Sequence, residues 1–258
     1  MENLALITGA SGGIGEQLAR IHAKKGGDLI LVARSEDRLT ELAAELVDTC
    51  EVNARPIARD LAVPGAAEGL ADEILADGFV PEILINNAGF GGQGRFHERD
   101  WARDRDMINL NVTALAALTH GILPGMVERG SGRVLNVGSV AGFLPGPNFA
   151  TYFATKAFVL SFSEAIASEL SGTGVTVTVL CPGPVATGFV DAAGMSNKKM
   201  FNAVAATPES VADYGYRAMM RGDVVAVPGA ATQLSLFQLR WLPRGVTRAI
   251  TRLTMGNL

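Results

Sequence analysis

Cysteine, histidine and aromatic residues are scarce in this chain. Its 258 residues include 2 cysteines and 3 histidines, and only 6% are aromatic. Cys50 and Cys181 cannot form a disulfide framework. His22, His97 and His120 show no metal-ligand spacing, so we predict no metal site. The net charge of −4, with basic residues scattered along the chain, predicts no nucleic-acid partner.

Targeting segments are also lacking. The first predicted strand begins within three residues of Met1, which leaves no room for a signal peptide. Together with the low cysteine content, this predicts a cytoplasmic protein. No stretch near the C-terminus reaches the run of about eighteen apolar residues that a membrane span needs.

The chain contains enough apolar residues to form one large core. Hydrophobic residues make up 48% and charged residues 19%, and no linker or repeat divides the sequence, so we expect one catalytic domain over 1–258. Apolar strands alternate with amphipathic helices, which predicts an α/β fold, a Rossmann-type doubly wound parallel sheet of about seven strands. We place these strands near 3–7, 28–33, 53–57, 82–86, 133–138, 174–181 and 223–228.

A glycine-rich turn follows the first of these strands. Gly9, Gly13 and Gly15 lie in the stretch TGASGGIG, between the apolar run LALI and a helical pattern. Glycines at such a junction let backbone N–H groups approach a pyrophosphate at the start of the helix. The strand before and the helix after favour a nucleotide-binding loop over an ordinary turn.

Three further side chains are suited to proton transfer. Tyr152 and Lys156 are four residues apart, so on a helix they share one face. An ammonium group there is expected to lower the pKa of the phenol towards working pH. Ser139 follows a predicted buried strand, at the edge where open α/β sheets bind ligands.

With these motifs in place, the chain resembles the short-chain dehydrogenase/reductase family, in its single-domain branch. Within that family it looks most like a broad bacterial group of NADP-preferring reductases. The resemblance runs from residue 3 to about residue 229 and implies the strand order 3-2-1-4-5-6-7. It rests on Thr8 to Gly15, Asp60-Leu61, Asn86 to Gly89, Asn111, Ser139, Tyr152, Lys156 and Pro182 to Thr187.

The resemblance implies hydride transfer between a nicotinamide cofactor and a carbonyl or secondary alcohol. Tyr152 would be the general acid or base, and Ser139 would hold the substrate oxygen. Lys156 would lower the pKa of Tyr152 and bind the nicotinamide ribose. Asn111 would hold a water that links Lys156 to solvent. These four are the predicted catalytic residues.

The resemblance also implies a set of cofactor contacts. Tyr152 and Lys156 belong to both the catalytic and the cofactor sets. The predicted cofactor-binding residues are Gly9, Ser11, Gly13, Ile14, Gly15, Arg34, Asp60, Leu61, Asn87, Ala88, Gly89, Tyr152, Lys156, Pro182, Gly183, Val185 and Thr187. Asp60 would accept from adenine, and Val185 with Thr187 would meet the carboxamide. Asn86 is expected to brace the sheet instead.

NADP(H) is the predicted cofactor, and NAD is less favoured. The second strand ends in Ala33-Arg34-Ser35, without the carboxylate that binds the ribose 2′-hydroxyl in NAD-specific relatives. Arg34 offers a planar cationic group for a 2′-phosphate, with Ser11 and Arg38 as helpers. The family's other basic position is Gly12 here.

Two segments lie beyond these motifs. Residues 187–207 are expected to form a lid over a small, apolar substrate. The C-terminal extension, 231–258, mixes large apolar residues with arginines. We expect it to pack over the substrate crevice or against a second subunit, and contact with a membrane surface is the less favoured alternative.

Other functions are less well supported. A nucleotide-sensing protein without activity would lose the proton-transfer residues, which are present here. A sugar-nucleotide epimerase would carry a different glycine spacing and a larger C-terminal domain. Small residues on the helices near 101–122 and 151–171 favour a homodimer or homotetramer.

Overall fold

Seven parallel strands form one sheet in the part of the chain that the computed structural model describes, residues 1–186, 205–239 and 241–255. The strand order is β3-β2-β1-β4-β5-β6-β7, so the predicted fold class and order are confirmed. The strands are β1 (Ala5–Thr8), β2 (Leu29–Ala33), β3 (Ala54–Ala58), β4 (Ile83–Asn86), β5 (Gly132–Val137), β6 (Val175–Leu180) and β7 (Val225–Ala226). The predicted last strand, 223–228, was too long, because only two of its residues pair with β6.

Helices cover both faces of this sheet. They are α1 (Gly13–Ala23), α2 (Glu36–Cys50), α3 (Ala66–Ala76), α4 (Trp101–Ile108), α5 (Leu115–Arg129), α6 (Ala150–Glu169), α7 (Pro208–Arg221), α8 (Ala230–Leu239) and α9 (Arg244–Met255). Short 3₁₀ turns occupy Phe96–Glu98 and Val140–Phe143.

The two sheet faces carry separate apolar cores, because successive strand residues point in opposite directions. Ile7 and Leu31 pack with α1, α2 and α7 on one face. Leu6 and Ile30 pack with α3 and α5 on the other face. Burial on both faces explains why the inner strands are continuous apolar runs rather than alternating ones.

Local sequence explains which face of a helix is buried and where a helix begins. In α2 the buried residues Leu39, Leu42, Ala43 and Leu46 recur at helical spacing. Helix α7 begins with Pro208 after Thr207, whose hydroxyl accepts a hydrogen bond from the Ser210 N–H at 3.3 Å. This is the start that the sequence predicts.

Helices α4 and α5 form one long rod, joined by a π-helical turn at Asn109–Ala114. By length and composition, the run Trp101–Arg129 could cross a membrane. However, Leu118, Ile122 and Met126 are buried in the core beside the sheet. The rod is therefore accounted for as a core helix. Turns of π-helix occur frequently at functional sites.

The C-terminal helices α8 and α9 contribute little to either core. Only Thr247 and Thr251 of α9 are buried, and α8 has no buried residue. Large apolar side chains instead face outward, including Leu253, which is 79% exposed, and Ile250, which is 40% exposed. Residues 187–204, most of the predicted lid, lie outside the described residues.

Candidate active site

A cleft of about 630 Å³ lies at the carboxyl ends of the central strands. The loops that follow β1, β4, β5 and β6 all contribute to its walls. This is where open parallel sheets bind ligands, because the strand order reverses beside β1. The cleft brings together most of the residues that the sequence predicts for the site.

The glycine-rich turn is fixed against the end of β4. Asn87 donates from Nδ2 to the carbonyl oxygens of Thr8, at 3.0 Å, and Gly9, at 3.1 Å. Gly9 has a φ of +66°, and a Cβ atom there would lie 2.6 Å from Asn87 Nδ2. Both the backbone conformation and the available space therefore require glycine at this position.

The start of α1 faces the cleft through Gly13 and Ile14. Its N-cap residue, Gly12, supplies no side-chain hydrogen bond, so the first N–H groups of the helix are not capped. Such groups form a binding site for an anionic group. Gly15 does not line the cleft, because it packs against Gly9 and Asn87, where any Cβ atom would clash.

A cationic end of the cleft is formed by Arg34 and Arg38, with Ser11 beside them. Neither arginine forms an ion pair with a residue in the described ranges. The structure thus places two unneutralised guanidinium groups next to the uncapped helix start. This arrangement suits the phosphates of a dinucleotide and an additional ribose phosphate.

The opposite end of the cleft contains Ser139 and Tyr152. Ser139 follows β5, and its Oγ accepts a hydrogen bond from the Ala141 N–H at 3.1 Å. Tyr152 lies in the first turn of α6 and is hydrogen-bonded to Ser139. The serine hydroxyl and the phenol therefore converge on one point, as the resemblance implied.

Lys156 lies one turn further along α6, and its side chain is buried. Its Nζ donates to the Val137 carbonyl oxygen at 2.8 Å and lies 5.9 Å from the centroid of the Tyr152 ring. The carbonyl at the end of β5 therefore fixes the lysine beside the phenol. Both residues line the cleft.

The pKa values of this pair differ from the sequence prediction. Burial raises the pKa of Tyr152 to about 12, and the hydrogen bond with Ser139 opposes this only partly. Burial lowers the pKa of Lys156 to about 8. The expectation that Lys156 brings the phenol pKa down to working pH was wrong, because burial raises this pKa and the interaction that opposes it is the hydrogen bond with Ser139, not the lysine. Tyr152 is therefore a protonated donor at neutral pH.

Asn111 lies in the π-helical turn and does not line the cleft. Its Nδ2 donates to the Phe90 carbonyl oxygen at 3.0 Å and to Thr155 Oγ1 at 3.1 Å. Its Oδ1 accepts from the Phe90 N–H at 3.1 Å. The side chain is thus fully engaged in joining the loop after β4 to α6, beside Lys156.

Asp60 and Leu61 also lie outside the walls of the cleft. Asp60 is exposed, and its Oδ1 accepts from the Ala62 N–H at 3.0 Å. Leu61 is buried in the core on the α3 side of the sheet. The structure assigns them a turn and a packing role, without a contact that points to adenine.

The loop after β6 completes the cleft. Pro182, Gly183 and Val185 all line it, and the Pro182 carbonyl oxygen accepts from the Val140 N–H at 3.0 Å. Asn87, Ala88 and Gly89 line the side formed by β4. Thr187, the last predicted cofactor contact, lies outside the described residues.

Asn86 braces the sheet, as the sequence predicts. Its Nδ2 donates to Thr119 Oγ1 at 3.0 Å and to Asn136 Oδ1 at 2.9 Å. Asn136 in turn donates to Ser163 Oγ at 2.9 Å. This buried network joins β4 and β5 to α5 and α6 below the proton-transfer residues.

Apolar side chains that the sequence interpretation missed line the Tyr152 end of the cleft. They are Phe90, Val140, Ala141, Leu144, Phe149, Phe153, Pro184 and Met255. Met255 ends α9, and its carbonyl oxygen accepts from Asn148 Nδ2 at 3.0 Å. Phe153, Val140 and Pro184 had local signals, since they adjoin Tyr152, Ser139 and the predicted cofactor contact Gly183. Nothing in the sequence alone brings residue 255 to this site.

Comparison with known proteins identifies the family. The model of the short chain dehydrogenase family matches residues 3–198, which is most of the chain. The chain belongs to the short-chain dehydrogenase family. The predicted class of enzyme, an oxidoreductase acting on alcohol or carbonyl groups, is confirmed with it.

Individual relatives cover most of the chain. Sulfoacetaldehyde reductase 2 of Chromohalobacter salexigens is 39% identical over 73% of this chain and 75% of its own length. The NADP-dependent 3-hydroxy acid dehydrogenase YdfG of Escherichia coli is 36% identical over 81% and 86%. A short-chain dehydrogenase from Sphingobium yanoikuyae, solved with NADPH, has a TM-score of 0.84 and 34% identity, covering 92% and 93% of the two chains.

Proposed function

We propose that this protein is an NADP-dependent oxidoreductase that transfers a hydride between the nicotinamide and a carbonyl or secondary alcohol of a largely apolar substrate. One observation carries this proposal: a single cleft holds proton-transfer side chains at one end and unneutralised arginines at the other. Tyr152 with Ser139 supplies the chemistry, and Arg34 with Arg38 supplies the preference for a phosphorylated cofactor.

The residues present fit this cofactor. The uncapped start of α1 offers N–H groups to a pyrophosphate, and a side chain at Gly9 would block the close approach. The relatives agree, since one is named NADP-dependent and another was solved with NADPH. NADP(H), as the sequence predicts, is therefore the preferred cofactor. When bound, it supplies or accepts the hydride.

The chain's own residues manage the proton. In reduction, Tyr152 donates its phenolic proton to the substrate oxygen, and its pKa of about 12 keeps that proton in place at neutral pH. Ser139 hydrogen-bonds the same oxygen and stabilises its developing negative charge. Lys156, whose Nζ donates to the Val137 carbonyl oxygen, would bind the ribose hydroxyls. Asn111 then acts by positioning the loop after β4 and α6 around that lysine.

The remaining cofactor contacts are part of the same proposal. Asn87, Ala88 and Gly89 would pass beside the adenosine ribose, and Val185 with Thr187 would meet the nicotinamide carboxamide. Asp60 stays a proposed adenine contact and Leu61 a proposed cofactor contact. Neither lines the cleft, so a structure of the complex with NADP(H) would test both directly.

The substrate end of the cleft favours an apolar ketone or alcohol. Leu144, Phe149, Phe153 and Met255 line it, and among the described residues the charged group at this end is the buried Lys156. The names of two relatives, a sulfoacetaldehyde reductase and a 3-hydroxy acid dehydrogenase, denote substrates with an acidic group.

A panel of ketones assayed by absorbance of the reduced nicotinamide tests the function. Wild-type protein should oxidise NADPH with at least one apolar ketone and prefer it to NADH. Arg34→Ala should weaken NADPH binding about tenfold to a hundredfold, since charge-assisted hydrogen bonds contribute about 1.5–3 kcal/mol, and leave NADH nearly unchanged. Arg217→Ala, on an exposed face of α7, is the control. Equal losses for both cofactors would overturn the cofactor assignment.

We also propose a homodimer or homotetramer. On α6, Phe158 is 38% exposed and stacks on Phe162, with ring centroids 5.2 Å apart. An exposed aromatic ring, Phe158, stacked on the partly buried Phe162 and beside small residues, suits close packing against a second copy. Light scattering at micromolar concentration should give a multiple of the 27.0 kDa chain mass, and Phe158→Glu should lower it. A monomeric wild type would rule this out.

The cytoplasmic location stays a prediction, as does the less favoured membrane contact. One observation supports the membrane alternative: the apolar side chains of Val246, Ile250 and Leu253 on α9 are exposed. Sedimentation with anionic vesicles tests it, and Leu253→Glu is the control that should release any bound protein.

A further inference from the structure

A second and larger cavity, which we call the C-terminal chamber, lies between α6 and helices α8 and α9. Its volume is about 1570 Å³. Leu144 and Phe153 line both this chamber and the active-site cleft. Because the two cavities share these side chains, the chamber adjoins the substrate end of the cleft.

Two walls of the chamber are largely apolar. Phe153, Ala157 and Leu160 contribute from α6, and Leu236 and Leu239 contribute from α8, where Glu164 and Gln233 are the polar exceptions. The wall formed by α9 differs in character. It faces the chamber with Arg244, Thr247, Arg248, Thr251 and Arg252.

Helix α9 does not bury the apolar stripe that an amphipathic helix normally packs against the protein. Only Thr247 and Thr251 are buried, and Val246, Ile250 and Leu253 are exposed. The arginines are also exposed, and they line the open side of the chamber. The three arginines are four residues apart, so they form one row along the helix.

Among the described residues, this row has no acidic partner. Residues 224–258 contain four arginines and no aspartate, glutamate or lysine. The only acidic residue lining the chamber within the described ranges is Glu164, and it forms no ion pair there with Arg244, Arg248 or Arg252. Guanidinium groups next to an apolar wall suit an amphipathic anion, whose apolar part contacts the wall and whose acid meets the arginines.

Helix α9 also sets a length scale. Met255 lies at the cleft, and the helix rises about 1.5 Å per residue. Along its axis, Arg252 is then about 4.5 Å from Met255, and Arg248 is about 10.5 Å away. An acid that reaches Arg248 must be separated from the reacting carbon by a chain of several methylene groups or its equivalent.

We propose that the C-terminal chamber is an extension of the substrate site and takes the distal end of an amphipathic substrate, an apolar ketone or alcohol that carries a carboxylate or another acidic group. This inference rests on the proposed function and names its substrate class. Arg248 and Arg252 are the specificity-determining residues, and Phe153 with Leu144 forms the passage between carbonyl and acid.

Binding without turnover provides the first test. Calorimetry of the NADPH complex with decanoate and with the neutral, similarly shaped decanamide should show decanoate binding about 1.5-fold to fivefold more tightly, the range for a solvent-accessible ion pair. The double variant Arg248→Ala/Arg252→Ala should lose that preference. Arg217→Ala removes the same charge from α7 and should keep it. Ala154→Trp, which narrows the chamber beside Phe153, should weaken decanoate binding and leave NADPH binding unchanged.

Kinetics provide the second test. The KM for 9-oxodecanoate should be lower than that for its methyl ester in wild-type protein, and the two values should converge in the double variant at unchanged kcat. Equal binding of decanoate and decanamide, or a preference that survives loss of both arginines, would overturn the proposal. Absence of turnover with every ketone would instead overturn the proposed function, and the binding experiment would still report on the chamber.

Discussion

The two ends of the cleft are built in different ways. At the glycine-rich turn, Thr8, Gly9 and Asn87 are fixed by several hydrogen bonds between side chains and backbone, and there is no space for an added carbon atom. At the substrate end, α9 is attached by few contacts, such as that between Asn148 and Met255. A region that must recognise one cofactor is rigid and locally determined, whereas a region that selects substrates can change without disturbing it.

The largest effect is expected for Tyr152, at the substrate end of the cleft. Tyr152→Phe removes the proton donor and keeps the ring, so kcat should fall by about 10²–10⁴-fold or more. NADPH affinity, measured by fluorescence titration, should be largely kept, because the glycine-rich turn is untouched. Ser139→Ala should be less severe if Tyr152 still reaches the substrate oxygen. Near-normal turnover of Tyr152→Phe would contradict the assignment.

A pair of glycines tests how rigid the cofactor end is. Gly9→Ala combines a positive φ with a clash against Asn87 and should lower the free energy of unfolding by about 2–4 kcal/mol. Gly26→Ala has a similar φ, +78°, but open space around it, so it should cost only about 1–2 kcal/mol. Urea denaturation measures both. Equal losses would show that the close contact with Asn87 does not matter.

The pH dependence should separate chemistry from folding. Lys156 has a pKa of about 8 in the folded protein, so reduction should decline above pH 8, by up to about tenfold per unit if only the ammonium form is active. The unfolded chain binds this proton more tightly, so the lysine's contribution to stability rises between pH 8 and about 10.5. Activity and stability should thus move in opposite directions over that range.

Initial rates and thermal unfolding at each pH check this prediction. Lys156→Arg, which keeps its charge, should move the decline to higher pH in whatever activity it retains. A decline that stays at the same pH in this variant would mean that another group titrates.

The smallest effect is expected at the C-terminal end. Met255→Ala enlarges the substrate end of the cleft, so KM for bulky ketones should change a few-fold while kcat for a small ketone and the melting temperature stay nearly constant. Steady-state kinetics with ketones of increasing size measures this. A large loss of stability would show that α9 is part of the structural core, against the contrast drawn above.

The difference between the two ends of the cleft also explains how much of the structure could be predicted from the sequence. The strand order, the glycine-rich turn and the Ser139, Tyr152 and Lys156 group depend on short motifs, so the sequence was sufficient for them. The raised pKa of Tyr152 depends on burial from several elements at once and was predicted in the wrong direction.

The orientation of α9 was not predictable either. Its periodicity alone indicates an apolar side but cannot say which side faces the protein. Met255 lies at the cleft, where its carbonyl oxygen accepts a hydrogen bond from Asn148, a residue distant in sequence. The lid and Thr187 stay predictions, since they lie outside the described residues.

The π-helical turn at Asn109–Ala114 affects which insertions and deletions of residues this chain can tolerate. A π turn closes its hydrogen bonds one residue later than an α turn, so deleting one residue there would restore a continuous α-helix. The flanking helices would stay nearly in place, because the turn accommodates the extra residue, but the side chains within the turn would change direction. Asn111 would then lose Phe90 and Thr155 together. Insertions and deletions should accordingly be selected against in this turn, even though it lies outside the cleft.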